Sequence, residues 1–416
     1  MYITRKYRIY PNSSQKELME KFFGCSRFIY NKCIEHYSVA YTKWKKNGTK
    51  FEKTPLITDF KKKYPFLKEC DNAALAYSRS NFERSISNMI KSKNGIRNGK
   101  KTGFPKFKKK GVCVYSYRTC DSHGGIRFDD KNTHLRIPKL KFVKIVKHRE
   151  YDGIIKSVTV NKTKTQKYYA ILTIESQSPI IKEKLATAKK ESVGLDMSLK
   201  NFAVSSSEND NMIIKYCHNY RMEEKRIKKL NRGISRKKAG GNNREKAKLR
   251  YARLCEKISE RRKDFVIKTA LYYSRNYKNI IIEDLNMNAM SRTLRLGKSV
   301  MDLGWGIFRQ WLIWESEKHG SNVIIADKWF ASSKICNCCG AKNTDLKLSE
   351  REWTCKKCGS VIDRDYNAAC NLRDYYLKRK NTVGTTEINA CGNEANTEDD
   401  FSLTASFVNE TRSPLL

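Results

Sequence analysis

The sequence predicts an α+β protein built from several modules. Apolar residues recur at helical spacing over residues 14–45 and 71–92, whereas the pattern changes to strand-like alternation between residues 112 and 178. Two Cys-x-x-Cys pairs, at 336–339 and 355–358, indicate a small metal-bound segment. A chain of 416 residues is long enough to bury about two to four separate cores.

The N-terminal part begins with a predicted strand over residues 2–10. Ser14–Glu17 fits a capping box and predicts the start of one or two helices covering 14–45. A second helical stretch covers 71–92. The segment Asn94–Lys110 is rich in Gly and Lys, and we predict that it is a mobile basic connector.

The alternating region predicts a small antiparallel β-module with a barrel-like form. Its strands are expected at 134–146, 153–160 and 167–175, and a polar turn over 161–166 would join the last two. A charged linker follows at 181–191.

The second half alternates between short apolar strands and helices. A strand, a carboxylate and a tight turn into a second strand are expected over 192–206. The long basic region 218–275 reads as helical with an interruption at 240–244. The remaining expectations are strands at 279–283 and 323–326, helices at 305–319 and 364–380, and a disordered tail at 381–416.

The net charge narrows the classes of partner. There are 85 Lys and Arg residues against 43 Asp and Glu, a formal charge of +42. Such an excess repels itself in a compact fold unless a polyanion neutralises it, so nucleic acid is the expected partner. A Lys-rich proteome would explain part of the excess. No window approaches about 18 uninterrupted apolar residues, so we expect no membrane partner.

Cysteine usage predicts a reduced compartment. Of the 14 cysteines, four have zinc-site spacing and most of the rest are isolated in apolar segments. The first residues lack the apolar core of a signal peptide, so we expect none. Both observations predict a cytoplasmic protein.

The paired knuckles predict a closed structural zinc site. Cys336, Cys339, Cys355 and Cys358 would supply four thiolates, which leave no coordination position open for chemistry. The competing interpretation is four unrelated free cysteines. Cys338 is an additional thiol inside the first knuckle, and its spacing disfavours it as a ligand.

Three carboxylates are candidates for a catalytic metal site. Asp196 and Glu283 each end a short apolar strand, and Asp365 lies near a helix N-terminus. Any one of them alone reads more simply as a cap or a solvated turn residue. Together, three acids from separate segments fit a site for two Mg²⁺ ions about 4 Å apart, with Mn²⁺ as a substitute. Asp284 should face away from Glu283, and Asp363 should cap the helix.

The basic helical region is a candidate nucleic-acid surface, although a solvated helix is the plainer interpretation. The side chains chosen there are Arg226, Lys229, Arg236 and Arg244. Lys106 and Lys108 in the connector are further candidates. Phe104 and Phe107 between the lysines could stack on bases or pin the connector to a core.

At this point the motifs resemble a known family. GLDMSLKNFAV, IIIEDLNM, SSKICNCCG, WTCKKCG and DRDYNAACNL, in this order around a basic helix, resemble TnpB, the RNA-guided nuclease family of IS200/IS605 and IS607-type transposons. The N-terminal YRIYPNSSQKELMEKFFGCSRFIYN, the connector GFPKFKKK and the tail GTTEINACG resemble it too. Compact Cas12f effectors are close relatives of this family.

The resemblance implies an RNase H-like RuvC nuclease domain carrying a zinc insert. Asp196, Glu283 and Asp365 match its three catalytic acids. The implied partners are a transposon-derived guide RNA and target double-stranded DNA, bound by a monomer in a prokaryotic, nucleoid-associated setting. The implied domains are a wedge β-barrel at 1–11 and 105–188, a helical recognition lobe at 12–104, RuvC at 189–331 and 362–380, and the insert at 332–361.

Reading of a short flanking DNA motif is also implied, much as in Cas9-type enzymes. We place it on the polar face of the 71–92 helix, at Tyr77, Ser80 and Asn81. The sequence departs from the family pattern at Ile267 and Ile362, where His is common; neither is a predicted catalytic acid.

Four alternatives remain in view. A CRISPR-associated Cas12f-like effector has the same chemistry and differs in genomic neighbourhood. A nuclease-inactive RNA-guided DNA-binding regulator would lack one of the acids, and all three are present. A zinc-ribbon RNA-binding protein leaves the three acids unexplained. A transposase proper would need a DDE set of acids or a recombinase nucleophile, which the sequence does not offer.

Overall fold

The computed structural model describes residues 2–48, 50–97, 101–120, 125–176, 189–207, 213–292, 296–347 and 349–382. The chain divides into two compact units, Met1–Pro179 and Ile180–Leu416. Most of the predicted linker at 181–191, and the predicted tail beyond residue 382, lie outside the described residues. No helix in the described part of the chain is both long and apolar enough to span a membrane.

The first unit contains a seven-stranded sheet. Its strands are β1 (Tyr2–Tyr10), β2 (Tyr115–Cys120), β3 (Arg127–Phe128), β4 (His134–Ile137), β5 (Lys141–Val146), β6 (Ile154–Lys162) and β7 (Tyr168–Glu175). All pairs are antiparallel, in the order β2-β6-β7-β1-β5-β4-β3. The predicted hairpin formed by β6 and β7 is confirmed. The first strand of the chain lies at the centre of the sheet, between β7 and β5.

Three α-helices accompany this sheet: α1 (Ser13–Asn47), α2 (Ile57–Lys63) and α3 (Asn72–Lys93). The predicted capping box at Ser14–Glu17 is wrong by two residues. Asn12 is the N-cap, and its side chain accepts from the Gln15 amide at 2.8 Å while Gln15 Oε1 accepts from the Asn12 amide at 3.1 Å. Asn is as good a cap as Ser, and Gln serves at N3 as Glu does.

Helices and sheet of the first unit share one hydrophobic core. Phe22 of α1 meets Tyr117 of β2 edge to face at 5.4 Å, and Phe82 of α3 is fully buried in the same cluster. Burial of large aromatic side chains makes this contact a main source of stability. Residues assigned to the recognition lobe and to the wedge domain contribute to this core, and the boundary between the two stays a prediction.

The basic connector is attached to α1, which contradicts its predicted mobility. The Lys108 amide donates to Asn31 Oδ1 at 2.8 Å, and Asn31 Nδ2 donates to the Lys108 carbonyl at 3.0 Å. The Lys108 ammonium lies 3.8 Å from the centre of the Tyr30 ring. A reciprocal side-chain bond and a cation–π contact fix this residue, and sequence composition gave no signal for either.

The second unit contains a five-stranded mixed sheet. Its strands are β8 (Lys190–Met197), β9 (Ala203–Ser205), β10 (Ile213–Ile214), β11 (Tyr277–Glu283) and β12 (Asn322–Ala326). The order is β10-β9-β8-β11-β12, with β8, β11 and β12 parallel and the other pairs antiparallel. This is the mixed sheet that the α+β prediction required.

The described residues of the second unit form six α-helices: α4 (Asn219–Ser235), α5 (Asn242–Asn276), α6 (Met287–Arg292), α7 (Gly297–Leu303), α8 (Trp305–His319) and α9 (Arg364–Thr382). The predicted interruption of the basic region is confirmed, because Gly240 has φ +78° and separates α4 from α5. The buried Asp302 caps α4, accepting from the Tyr220 amide at 3.0 Å.

A small zinc-ribbon-like insert lies between β12 and α9. Strands β13 (Glu352–Thr354) and β14 (Val361–Asp363) form its antiparallel hairpin. Its core holds Trp353 and Ile362 against two of the cysteines. Ile362, one of the departures from the family pattern, thus serves as packing.

Candidate metal centres

Two of the predicted catalytic acids lie at the same edge of the second sheet. Strands β8 and β11 are parallel neighbours, with Leu195 opposite Ile282. Asp196 and Glu283 are the next residue on each strand. Since the carboxyl ends of parallel strands meet at one edge, the two side chains are brought together from positions far apart in the sequence.

The third acid, Asp365, is placed by the packing of α9 on β8. A Cβ atom on Gly194 would clash with the backbone of Ala369 and Arg373, so glycine at this position lets the helix lie directly against the strand. Asp365 is in the first turn of α9. The glycine of GLDM thereby sets the distance between the helix and the strand that carries Asp196.

Among the three carboxylates, Asp196 feels the charges of the other two. Removal from water, followed by the charges of Glu283 and Asp365, raises the pKa of Asp196 well above its ordinary value. Removal from water also raises the pKa of Glu283, and the hydrogen bond from Ser332 opposes that shift. Clustered acids with raised pKa values are stabilised by a cation, and oxygen ligands suit hard divalent ions. The oxygen donors are of the kind that Mg²⁺ or Mn²⁺ takes, although among the described residues only the four cysteines already lie in a cluster tight enough to hold an ion.

Sequence reasoning missed three residues that contact these acids. Ser332 Oγ donates to Glu283 Oε1 at 2.6 Å. Arg351 Nη1 donates to Asp365 Oδ2 at 2.6 Å, and Arg364 Nη2 donates to Asp365 Oδ1 at 3.1 Å. Ser332 and Arg364 lie inside motifs that drew attention for other residues, whereas no pattern marked Arg351.

Of the two neighbouring acids, Asp363 behaves as predicted, whereas the direction of Asp284 relative to Glu283 stays a prediction. Arg309 Nη1 donates to Asp284 Oδ1 at 2.8 Å, so Asp284 has a different partner from Glu283. Asp363 accepts from the Tyr366 amide at 2.7 Å and caps α9. A cleft of about 80 Å³ opens beside Glu283, lined also by Asp284, Asp327, Lys328 and Phe330.

The four predicted zinc ligands form one cluster. The sulfur atoms of Cys336, Cys339, Cys355 and Cys358 all lie within 4.8 Å of one another. Two of the separations are 3.7 Å (Cys336–Cys358) and 3.6 Å (Cys339–Cys355). A tetrahedral site with Zn–S bonds of ~2.3 Å has S–S edges of ~3.8 Å, so the cluster fits zinc. Cys338 is exposed and outside the cluster, as predicted.

The residues predicted to contact nucleic acid differ in exposure and in their hydrogen-bond partners. Arg226, Lys229, Arg236 and Lys106 are exposed. Arg244 Nη1 donates to the Lys237 carbonyl at 3.0 Å, and burial lowers the pKa of the Lys108 ammonium. These roles stay predictions.

The predicted readers of flanking DNA are equally untested. The Arg118 guanidinium lies 4.8 Å from the centre of the Tyr77 ring, so one face of that ring already has a partner. Ser80 is half-buried and Asn81 is exposed.

Comparison with known proteins identifies related families along much of the chain. Residues 172–294 match the OrfB family of IS605, described as "Probable transposase". Residues 305–372 match the Cas12f1-like TNB domain, and residues 1–46 match the helix-turn-helix domain of IS605 OrfB. Over that last range the structure forms one strand followed by one uninterrupted helix.

Full-length relatives agree with these matches. A "Putative RNA-guided DNA endonuclease" of Streptomyces pristinaespiralis is 27% identical over 88% of this chain and 87% of its own length. "Putative RNA-guided DNA endonuclease InsQ" of Escherichia coli K12 is 25% identical over 88% and 90%. A solved Cas12f1–sgRNA–target DNA complex aligns with a TM-score of 0.49 and 14% identity, covering 90% of this chain and 98% of that one.

Residues 172–294 and 1–46 are thus similar to the OrfB family of IS605-type elements, and the relatives include proteins named TnpB-like. The family resemblance predicted from the motifs is confirmed.

Proposed function

We propose that this protein is an RNA-guided DNA endonuclease of transposon origin, cutting double-stranded DNA at a single RuvC site. The convergence of Asp196, Glu283 and Asp365, which raises the pKa of Asp196, carries the proposal. The match of residues 172–294 to the OrfB family and the names of the relatives support it. The net charge of +42 suits a protein that holds two nucleic acids.

The chain's residues have distinct parts in this mechanism. Two divalent cations held by the three carboxylates would supply activation of water and stabilisation of the leaving oxygen. Removal from water and then the charges of both Glu283 and Asp365 raise the pKa of Asp196, so Asp196 would help to hold both cations. Ser332 orients Glu283, and Arg351 and Arg364 orient Asp365. The products would carry a 5′-phosphate and a 3′-hydroxyl.

The partners follow from the same proposal. A transposon-derived guide RNA would select the DNA by base pairing, and the protein would read a short flanking motif. We propose a monomer on one RNA, in the cytoplasm of a prokaryotic cell and associated with its nucleoid. A CRISPR-associated effector is the second candidate, because residues 305–372 match the Cas12f1-like TNB domain.

Copurification from cells carrying the native locus tests the guide. We expect one abundant RNA that ends in a transposon flank and directs cutting of a matching duplex in Mg²⁺. Processed CRISPR RNA would favour the second candidate. A mixture of unrelated RNAs, without DNA cutting, would contradict both candidate functions.

Substitution of one acid tests the site. Asp196→Ala should lower the cleavage rate by more than about 100-fold, because even outer partners of metal ligands cost ~10–100-fold. RNA and DNA binding should stay unchanged, as measured by gel shift. Asp284→Ala is the matched control, since that acid pairs with Arg309. Cleavage by the Asp196 variant at the normal rate would refute the assignment.

A further inference from the structure

The segment that enters the first zinc knuckle touches both sides of the carboxylate site. At its start, Ser332 Oγ donates to Glu283 at the end of β11. At its end, Asn337 lies between Cys336 and Cys339 and contacts α9, the helix that begins with Arg364 and Asp365. Six residues thus connect Glu283 to the helix whose first turn carries Asp365.

The contact with α9 is a compact polar network. The Asn337 amide donates to Asn367 Oδ1 at 2.8 Å, and its side chain donates to Asn371 Oδ1 at 3.1 Å and to Asp374 Oδ2 at 2.8 Å. Asn367, Asn371 and Asp374 are spaced four and three residues apart, so they share one face of the helix.

The helix returns bonds to the same segment. Asn367 Nδ2 donates to the Ile335 carbonyl at 2.7 Å, and Asn371 Nδ2 donates to the carbonyls of Ser332 and Ile335 at 2.7 and 2.6 Å. Asn367 and Asn371 are 4% and 5% exposed. Buried amides with satisfied donors fix geometry, because any shift would leave a polar group unpaired in a dry environment.

We propose that the first zinc knuckle braces the catalytic acids: zinc bound by Cys336 and Cys339 fixes Asn337, which holds α9 so that Asp365 faces Glu283. Asn337, Asn367 and Asn371 are then positioning residues. This rests on the proposed function, since it assigns a role toward the same metal site. The consequence is that the zinc insert sets the affinity of the carboxylates for divalent cations, in addition to any contact with nucleic acid.

The test is a titration of the full-length protein with Mn²⁺. The free Mn²⁺ is measured by electron paramagnetic resonance. Binding lost in Asp196→Ala defines the carboxylate site. Asn337→Ala removes two hydrogen bonds and keeps all four cysteines. We expect it to weaken that binding about 10-fold with zinc content unchanged, which is the range for outer partners of metal ligands.

Two further variants sharpen the result. Asn343→Ala is the matched control, because the Asn343 side chain accepts from Asp345 within the insert and should leave Mn²⁺ affinity unchanged. Asn337→Asp should weaken Mn²⁺ binding as much as Asn337→Ala does, because the new carboxylate cannot donate a hydrogen bond and faces the carboxylate of Asp374. Adding Asp374→Asn to it restores the bond between residues 337 and 374 in the reverse sense, and not the bond to Asn371, so it should recover part of the affinity.

Normal Mn²⁺ affinity in Asn337→Ala would overturn the brace, as would loss of zinc from that variant or failure of the double variant to recover. If the unaltered chain has no Mn²⁺ binding that depends on Asp196, the proposed nuclease site fails instead. Amide hydrogen exchange then still tests the brace. Asn337→Ala should accelerate exchange in the first half of α9 and not in α8, and unchanged exchange in α9 would contradict it.

Discussion

The four cysteines and the three carboxylates are both clusters of groups that repel one another when ionised, yet the chain assembles them differently. The cysteines come from two short turns joined by one hairpin, and their sulfur atoms lie within 4.8 Å of one another. The acids come from β8, β11 and α9, which lie far apart along the sequence of the second unit. They are held by the sheet, by Gly194 and by side chains of the zinc insert.

The difference separates a site that is closed by local geometry from one that depends on tertiary packing. Four thiolates saturate zinc and contribute to folding, whereas three partly exposed carboxylates leave coordination positions for water and substrate. Damage to the first should therefore cost structure, and damage to the second should cost chemistry alone.

The largest effect is expected from loss of a zinc ligand. Cys355→Ser should abolish zinc binding and unfold the insert, because structural zinc supplies about 10–16 kcal/mol of apparent binding free energy in small zinc domains. Zinc content and limited proteolysis at residues 332–361 measure this. The exposed Cys338→Ser is the control and should keep full zinc. An insert that still resists protease in Cys355→Ser would contradict the claim that zinc binding is needed to fold it.

A smaller effect should follow when an acid loses its hydrogen-bond donor. Ser332→Ala removes the 2.6 Å bond to Glu283 and should weaken Mn²⁺ binding ~10-fold, with zinc content unchanged. Ser333→Ala changes the adjacent hydroxyl and should have no effect on the same Mn²⁺ titration. Equal weakening by both variants would mean that the segment, and not the bond, is responsible.

The smallest effect concerns the basic helix, which belongs to neither metal site. Lys229→Ala removes one exposed charge and should reduce the slope of log K against log salt for duplex DNA by about one. Binding isotherms at several salt concentrations measure the slope. Lys229→Arg keeps the positive charge and should therefore leave the slope unchanged. A slope that does not change in Lys229→Ala would place the duplex elsewhere.

The contrast between the two sites also explains what the sequence could predict. Cys-x-x-Cys spacing is local, so the zinc ligands and the exclusion of Cys338 could be predicted from it. Asp196 and Glu283 were candidates because each ends a short apolar strand, Asp365 because it lies near a helix N-terminus, and Asp363 was recognised as a cap by its place before the helix. Arg351 lies in a loop without a motif, and its contact with Asp365 arises only when the insert folds back on α9.

Two errors in the first unit have the same origin. The helix cap moved from Ser14 to Asn12 because several residues nearby could cap, and packing chose among them. The connector was expected to be mobile because Gly and Lys are abundant, but Asn31 binds the Lys108 backbone. Both outcomes depend on contacts between segments, and the amino-acid composition of a segment does not reveal such contacts.

Anomalous X-ray diffraction from crystals grown with Mn²⁺ tests the central claim most directly. Data at the zinc and manganese absorption edges should place zinc among the four cysteines and manganese among Asp196, Glu283 and Asp365. Manganese bound elsewhere, or zinc absent from the cysteines, would contradict the division of the molecule into a folding metal site and a catalytic one.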